Sequence, residues 1–131
     1  MSAGWAPWLA APLRRTLESP AHALLLHGPG ALGQLDLGLA AARAMLCESP
    51  APGGLACGAC PSCHLFDQRS HPDFLLLMPD ALRERIGWLD APEGEAKTKP
   101  SRDIKVDTVR AAIAWSQQST SRGGADRKSV V

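Results

Sequence analysis

The 131-residue sequence has no apolar run approaching the ~20 residues that a membrane-spanning helix requires. It also lacks the basic segment with which a secretory signal begins. The unbroken apolar stretch of such a signal is missing too, because Pro7 and Pro12 interrupt the apolar N-terminus. A formal net charge of +1 provides no overall positive field that would argue for binding nucleic acid. These absences predict a single-domain cytoplasmic protein without a membrane partner.

Cysteine is scarce, and its four copies are grouped. Cys57, Cys60 and Cys63 are each separated by two residues, and Cys47 precedes them. In a cytosolic chain such a group favours metal or redox chemistry over structural disulfides. Because four thiolates complete a closed tetrahedral site, we predict a structural zinc ion held by Cys47, Cys57, Cys60 and Cys63.

Three other interpretations of the cysteine group stay open. An iron–sulfur cluster of the ferredoxin type would require a further cysteine at position 67, where the sequence has Asp67. A redox-active C-x-x-C pair is the second alternative, and four reduced, buried thiols are the third. His64 directly follows Cys63, but it is not expected to be a ligand because four cysteines suffice.

Apolar patterning predicts an α/β domain with a largely parallel sheet. We expect strands at 22–27, 74–78 and 128–131, and helices at 12–19, 33–46 and from an N-cap at Asp107 onward. A short helix is expected around Leu65 and Phe66. Residues 79–103 are polar and contain Pro92, Gly94 and Pro100, which predicts an exposed linker.

The stretch HGPGALGQLD has the glycine spacing of a phosphate-binding loop between a predicted strand and a predicted helix. Gly28, Gly30 and Gly33 would let backbone N–H groups converge on phosphates at the helix N-terminus. The motif G-x-x-x-x-G-K-[ST] ends here in Gln34 and Leu35. Since the lysine and the metal-binding hydroxyl are both missing, phosphoryl transfer would lose most of its electrostatic stabilisation. The loop is therefore a simple glycine-rich turn or a degenerate nucleotide site, and an active ATPase is disfavoured.

Together these motifs resemble the N-terminal part of the clamp-loader subunits of bacterial DNA polymerase III, an AAA+ family, and within it the delta-prime type. The resemblance rests on HALLLHGPGALGQ, on CESP with ACGACPSCHLFDQRSHPDFLLLMP, and on IKVDTVRAAIAWSQQSTSRGG, which together extend over residues 22–124. A zinc segment directly after the helix, followed by His71-Pro72-Asp73, is quite specific to this family. Residues 82–102 match nothing in it.

The resemblance implies a P-loop, AAA+ type parallel sheet flanked by helices, with a degenerate phosphate loop at 28–35 and an inserted zinc segment at 47–63. It implies a non-hydrolysing, stator-like subunit that binds zinc but no ATP and has no catalysis of its own. Gln34 and Leu35 fit the delta-prime type and contradict the ATPase of the tau/gamma type. The implied partners are the tau/gamma and delta subunits, and through the assembled complex the sliding clamp and primed DNA.

The family pattern continues with features that are missing here: an acidic strand, a Ser-Arg-Cys motif and two further domains. We therefore expect residues 1–131 to form a truncated, incomplete N-terminal AAA+ domain, and no arginine is assigned to a neighbour's ATP site. Two alternatives are kept. One is a tau/gamma-type AAA+ ATPase, and the other is a stand-alone zinc-binding interaction module.

Overall fold

The computed structural model describes residues 6–19, 23–88, 101–119 and 129–130. Within these ranges none of the helices is long and apolar enough to cross a membrane. The elements in chain order are a 3-10 turn at Pro7–Leu9, α1 at Ala10–Glu18, α2 at Gln34–Leu46, α3 at Pro61–Asp67, β1 at Phe74–Leu75, α4 at Asp80–Arg85, α5 at Val106–Ser116 and β2 at Ser129–Val130. The predicted helices at 12–19 and 33–46 are thus confirmed within one or two residues.

The sheet in the described part of the chain is one parallel pair. Phe74 of β1 lies opposite Ser129 of β2, and Leu75 lies opposite Val130. Parallel strands need a long crossover between them, and α4 and α5 occur in that connection. The third predicted strand is therefore confirmed at its described residues, whereas Lys128 and Val131 lie outside them. The larger parallel sheet flanked by helices is not seen among the described residues, so this part of the fold prediction does not hold there.

The predicted buried strand at 22–27 is wrong in its described part. His22 lies outside the described residues, and Leu24 to His27 have no strand structure. Leu25 is 84% exposed, and only Leu26 packs inward, against the cluster between α1 and α2. A run of leucines predicts burial. It does not show whether a neighbouring strand is present to form the hydrogen bonds of a sheet.

Two other predicted boundaries shift. The strand predicted at 74–78 ends at Leu75, although Leu76 beyond it is buried in the core. The last helix begins at Val106 with Lys105 as its N-cap, so Asp107 is not the cap. Asp107 lies in the first turn, where a carboxylate interacts favourably with the helix dipole.

The predicted linker is neither fully irregular nor fully exposed. Its start forms α4, whose first turn carries Asp80. Ile86 and Trp88, just beyond that helix, pack against the core. The polar composition of this segment does not indicate its short helix or its two inward-facing side chains. Whether a side chain is buried depends on the residues around it in the fold and not on the mean polarity of its segment. Residues 89–100 lie outside the described part.

Helix α2 is the centre of the packing, because both apolar clusters use it. One cluster joins α2 to α3 and to the chain after β1, and comprises Leu39, Ala42, Leu46, Phe66 and Leu76. The other joins α2 to α1, and comprises Leu9, Leu13, Leu37 and Ala41. The Leu- and Ala-rich sequence of α2 allows this, since it offers apolar side chains on two faces.

An aromatic cluster closes the end of the core. The ring centroids of Phe66 and Phe74 are 4.8 Å apart, and those of Phe74 and Trp88 are 5.5 Å apart. The guanidinium of Arg69 lies over the Trp88 ring, 5.6 Å from its centroid. Tilted rings at such distances add stabilisation beyond their buried area. The cluster therefore ties α3, β1 and the segment after α4 together.

Replacing the buried ring of this cluster tests the packing. Phe66→Ala removes a buried ring that contacts both other aromatic side chains, so we expect the free energy of unfolding to fall by about 3–5 kcal/mol. Urea denaturation followed by circular dichroism measures the change. The control is Leu25→Ala on an 84% exposed side chain, for which a change within about 0.5 kcal/mol is expected. Similar small losses in both variants would contradict the described core.

Candidate metal centre and phosphate loop

The four cysteines converge between the end of α2 and the start of α3. Cys47 directly follows α2, Cys60 caps the N-terminus of α3, and Cys63 lies in the first turn of that helix. Cys57 comes from the irregular segment between the two helices. All four sulfur atoms lie within 4.8 Å of one another, so the group could hold a metal ion. The structure thus brings together every residue that the spacing singled out.

The distances between the sulfur atoms fit a single four-coordinate ion. Cys47 and Cys60 have their Sγ atoms 3.8 Å apart, and Cys57 and Cys63 have theirs 4.0 Å apart. A disulfide would bring two sulfurs to about 2.05 Å, and all four cysteines are free. A tetrahedral ion with metal–sulfur bonds of about 2.3 Å places its ligand sulfurs about 3.8 Å apart. An iron–sulfur cluster needs a wider cage, because several iron and sulfide ions separate its thiolates.

Backbone N–H groups point at the sulfur atoms. The N–H of Cys57 donates to Cys47 Sγ at 3.3 Å, and the N–H groups of Ala59 and Cys60 donate to Cys57 Sγ at 3.4 and 3.3 Å. The N–H of Cys63 donates to Cys60 Sγ at 3.4 Å. Such donors favour the negatively charged thiolate, which is the form that binds a metal ion.

Burial and these donors act in opposite directions on the thiol pKa values. Burial raises the pKa of Cys47, and it raises the pKa of Cys63 to about 12. For Cys60 burial also acts upward, but N–H donors from Cys63 and Glu48 and contacts with neighbouring thiols outweigh it and lower the pKa to about 6. Two backbone N–H donors lower the pKa of Cys57. An ion bound by all four sulfurs would have to displace the protons of the two thiols with a raised pKa.

A cation stands beside the cysteines. Arg43 of α2 forms two hydrogen bonds with the carboxylate of Asp67, at 2.8 and 2.7 Å. This pairing, aided by the nearby charges of Asp67, Cys63 and Cys47, raises the pKa of Arg43. A Cβ added at Gly58 would lie 3.8 Å from the Arg43 guanidinium, so the arginine closely approaches the cysteine turn. Its charge offsets part of the negative charge that four thiolates bring together.

The predicted phosphate loop is crossed by the side chain of Gln34. Its Nε2 donates to the carbonyl oxygen of Pro29 at 2.7 Å, and a Cβ added at Gly28 would lie 3.1 Å from the same nitrogen. Gly33 is the N-cap of α2 at a φ of 96°, a left-handed conformation that favours glycine. Gly30 has open space around it. The residue at the lysine position therefore bonds to the loop itself.

The groove beside this loop has an unfavourable charge for phosphate. It has a volume of about 350 Å³ and is lined by Ala6, Trp8, Ala31, Leu32, Gly33, Gln34, Leu35 and Asp36. These lining residues include no lysine or arginine, and the one formal charge is the carboxylate of Asp36. Trp8 closes one side through a hydrogen bond from its indole N–H to Leu32 O, at 3.2 Å. Phosphate oxygens would meet helix N–H groups but no cation to balance their charge.

Three polar side chains near the cysteines are buried, and the sequence did not predict that Ser62 lies beside His71. Ser62 and Asp73 are each 1% exposed, and His71 is 6% exposed. The sequence marks His71 and Asp73 through the His-Pro-Asp turn. It gives no sign of Ser62, which lies among small residues in the cysteine segment. His64, by contrast, is exposed and does not belong to the group of four cysteines.

The chain is similar to known proteins of one family. The family model described as DNA polymerase III, delta subunit matches residues 12–131. The DNA polymerase III subunit delta' of Pseudomonas aeruginosa is 36% identical over 104 residues, which cover 79% of this chain and 26% of that protein. The subunit delta' of Yersinia pestis is 36% identical over 127 residues, which cover 83% and 37%. The subunit delta' of Escherichia coli K12 is 32% identical over 88 residues, which cover 63% and 26%. The chain thus spans 26% to 37% of the length of these relatives.

Loss of one sulfur tests the metal centre. We expect the purified chain to hold one metal ion and Cys63→Ser to lose it, because a serine hydroxyl is a poor replacement for a buried thiolate ligand. Elemental analysis after exhaustive dialysis gives the number of ions per chain. The matched control is Ala59→Ser, which adds a hydroxyl to the same turn and keeps all four sulfurs. Full metal content in Cys63→Ser would contradict the site.

Proposed function

The chain belongs to the DNA polymerase III delta subunit family, and we propose that it forms the N-terminal part of a delta-prime type subunit of the bacterial clamp loader. In this role it takes part in DNA replication in the cytoplasm. It helps a ring of AAA+ subunits to place the sliding clamp on primed DNA. Its direct partners are the tau/gamma and delta subunits, whereas the clamp and the DNA are contacted through the assembled complex.

We propose that this subunit does not hydrolyse ATP and acts as a stator-like member of the ring. The hydrogen bond from Gln34 to Pro29 O carries this proposal, because a lysine at that position would instead reach toward phosphates. Leu35 cannot replace the hydroxyl that helps to hold Mg²⁺, and Asp36 adds a negative charge to the groove. These features disfavour a tau/gamma-type ATPase and leave the loop as a structural connection into α2.

We further propose that the four cysteines hold a structural zinc ion. Thiolate ligands select soft or borderline metals, and a closed set of four sulfurs leaves no open position for a catalytic water. The ion would connect α2 to α3 across a segment that has no helix or strand between Cys47 and Cys60. Zinc would therefore stabilise the fold, and the chain's own residues would perform no chemistry on it.

A measurement of nucleotide binding distinguishes a loop that only connects the chain to α2 from a loop that binds ATP. We expect the chain to retain no ATP in equilibrium dialysis with Mg²⁺ and millimolar ATP, and to release no phosphate, because the described lining of the groove includes no lysine or arginine. The control is Gln34→Lys with Leu35→Thr, which restores both motif residues. Saturable binding of ATP by the unchanged chain would contradict the proposal and support the ATPase hypothesis.

Assembly is tested by native mass spectrometry of the chain mixed with a tau/gamma subunit, zinc and Mg-ATP. We expect a mixed complex in which this chain carries one zinc ion and no nucleotide. The stand-alone zinc-binding module predicts a zinc-loaded chain that stays alone. That result would contradict a direct contact between residues 1–131 and the tau/gamma subunit.

A further inference from the structure

A directed chain of hydrogen bonds runs beside the cysteine group. The N–H of Asp73 donates to His71 Nδ1 at 3.0 Å, so that nitrogen carries no proton. The neutral ring then carries its proton on Nε2, which donates to Ser62 Oγ at 3.1 Å. The hydroxyl of Ser62 donates in turn to Glu48 Oε1 at 2.7 Å. In this series His71 and Ser62 each accept from one group and donate to the next, so the orientation of one group affects the next.

One end of this chain of hydrogen bonds lies next to the proposed metal ligands. Glu48 directly follows Cys47, and Ser62 directly precedes Cys63. The bond between their side chains therefore connects the two ends of the cysteine segment. The backbone of Glu48 also contributes to lowering the pKa of the Cys60 thiol. The side chain of Glu48 thus connects the residue after Cys47 to the first turn of α3.

The other end of the chain of hydrogen bonds rests on a fixed turn. His71 is buried in the His-Pro-Asp turn that leads directly into β1. Trp115 of α5 donates its indole N–H to Pro72 O at 3.0 Å, so the turn is also held from α5. The imidazole of His71 therefore has a rigid base from which to orient the hydroxyl of Ser62.

We propose that Glu48, Ser62 and His71 are positioning residues of the four-cysteine metal centre. His71 orients the Ser62 hydroxyl toward Glu48, and that bond keeps the chain after Cys47 against the start of α3. None of the three residues coordinates the ion. Groups that orient metal ligands through hydrogen bonds typically contribute about 10- to 100-fold to metal affinity. The inference rests on the proposed metal site and not on the clamp-loader role.

The same three side chains are not arranged as a catalytic triad. In a hydrolase the histidine accepts the serine proton, whereas here Nε2 donates and the Ser62 proton already points to Glu48. Ser62 is also 1% exposed, which leaves no space for a substrate at its oxygen. This geometry suits a structural role, in which the hydrogen bonds hold together the two segments that carry Cys47 and Cys63.

The test is a double-mutant cycle on the dissociation constant for zinc, measured on the full chain by competition with a chromophoric chelator. We expect Glu48→Ala and Ser62→Ala each to weaken zinc binding by about 10- to 100-fold. The double variant should bind no more weakly than either single variant, because both remove the same hydrogen bond. Glu48→Gln should retain near wild-type affinity, since its amide oxygen still accepts the bond and only the charge is lost.

The control is Glu84→Ala, which removes an exposed carboxylate on α4 and should leave zinc affinity unchanged. Changes below about twofold in both single variants, or additive losses in the double variant, would overturn the proposal. An equal loss in Glu48→Gln and Glu48→Ala would also overturn it, because charge alone would then explain the effect. If the wild-type chain binds no zinc, both this proposal and the metal assignment are overturned. The expected zinc affinities in all variants, together with failure of the chain to join a tau/gamma subunit, would support the positioning proposal and contradict only the clamp-loader contact.

Discussion

The convergence of four sulfur atoms at the junction of α2 and α3 is the constraint on which the rest of the structure depends. Between Cys47 and Cys60 the chain has no regular element to hold it, and N–H donors to sulfur provide much of its local order. The junction sets where α3 lies on α2, and the pair of Arg43 and Asp67 keeps the two helices in that register. From α3, Phe66 then reaches the aromatic cluster that includes β1.

The backbone of the proposed phosphate loop has two features that a nucleotide-binding loop also has. A left-handed glycine and a helix N-terminus are present, as they would be in an active site. The side chain that should face phosphate is neutral, and it satisfies a carbonyl of the same loop. This hydrogen bond joins the side chain of the first residue of α2 to the loop that precedes the helix.

The buried polar side chains give the His-Pro-Asp turn a physical role. A buried hydroxyl and a buried imidazole are destabilising unless each finds a partner. Here they are partners of each other, and their bonds lead from β1 to the carboxylate beside Cys47. The group of four cysteines, the turn and β1 therefore form one connected unit, which α5 supports through the indole of Trp115.

The sequence by itself determined the helices α1 and α2, the group of four cysteines and the family, whose match confirms the resemblance drawn from the motifs. These features depend on local periodicity and on residue spacing, which a linear sequence contains. Only the tertiary structure decided that Leu25 is exposed, that Trp88 of the predicted linker packs against the core, and that Gln34 folds back on its loop. It alone paired Ser62 with His71 and Glu48. Burial and hydrogen-bond partners depend on residues distant in the chain, and no local pattern specifies which of them will meet.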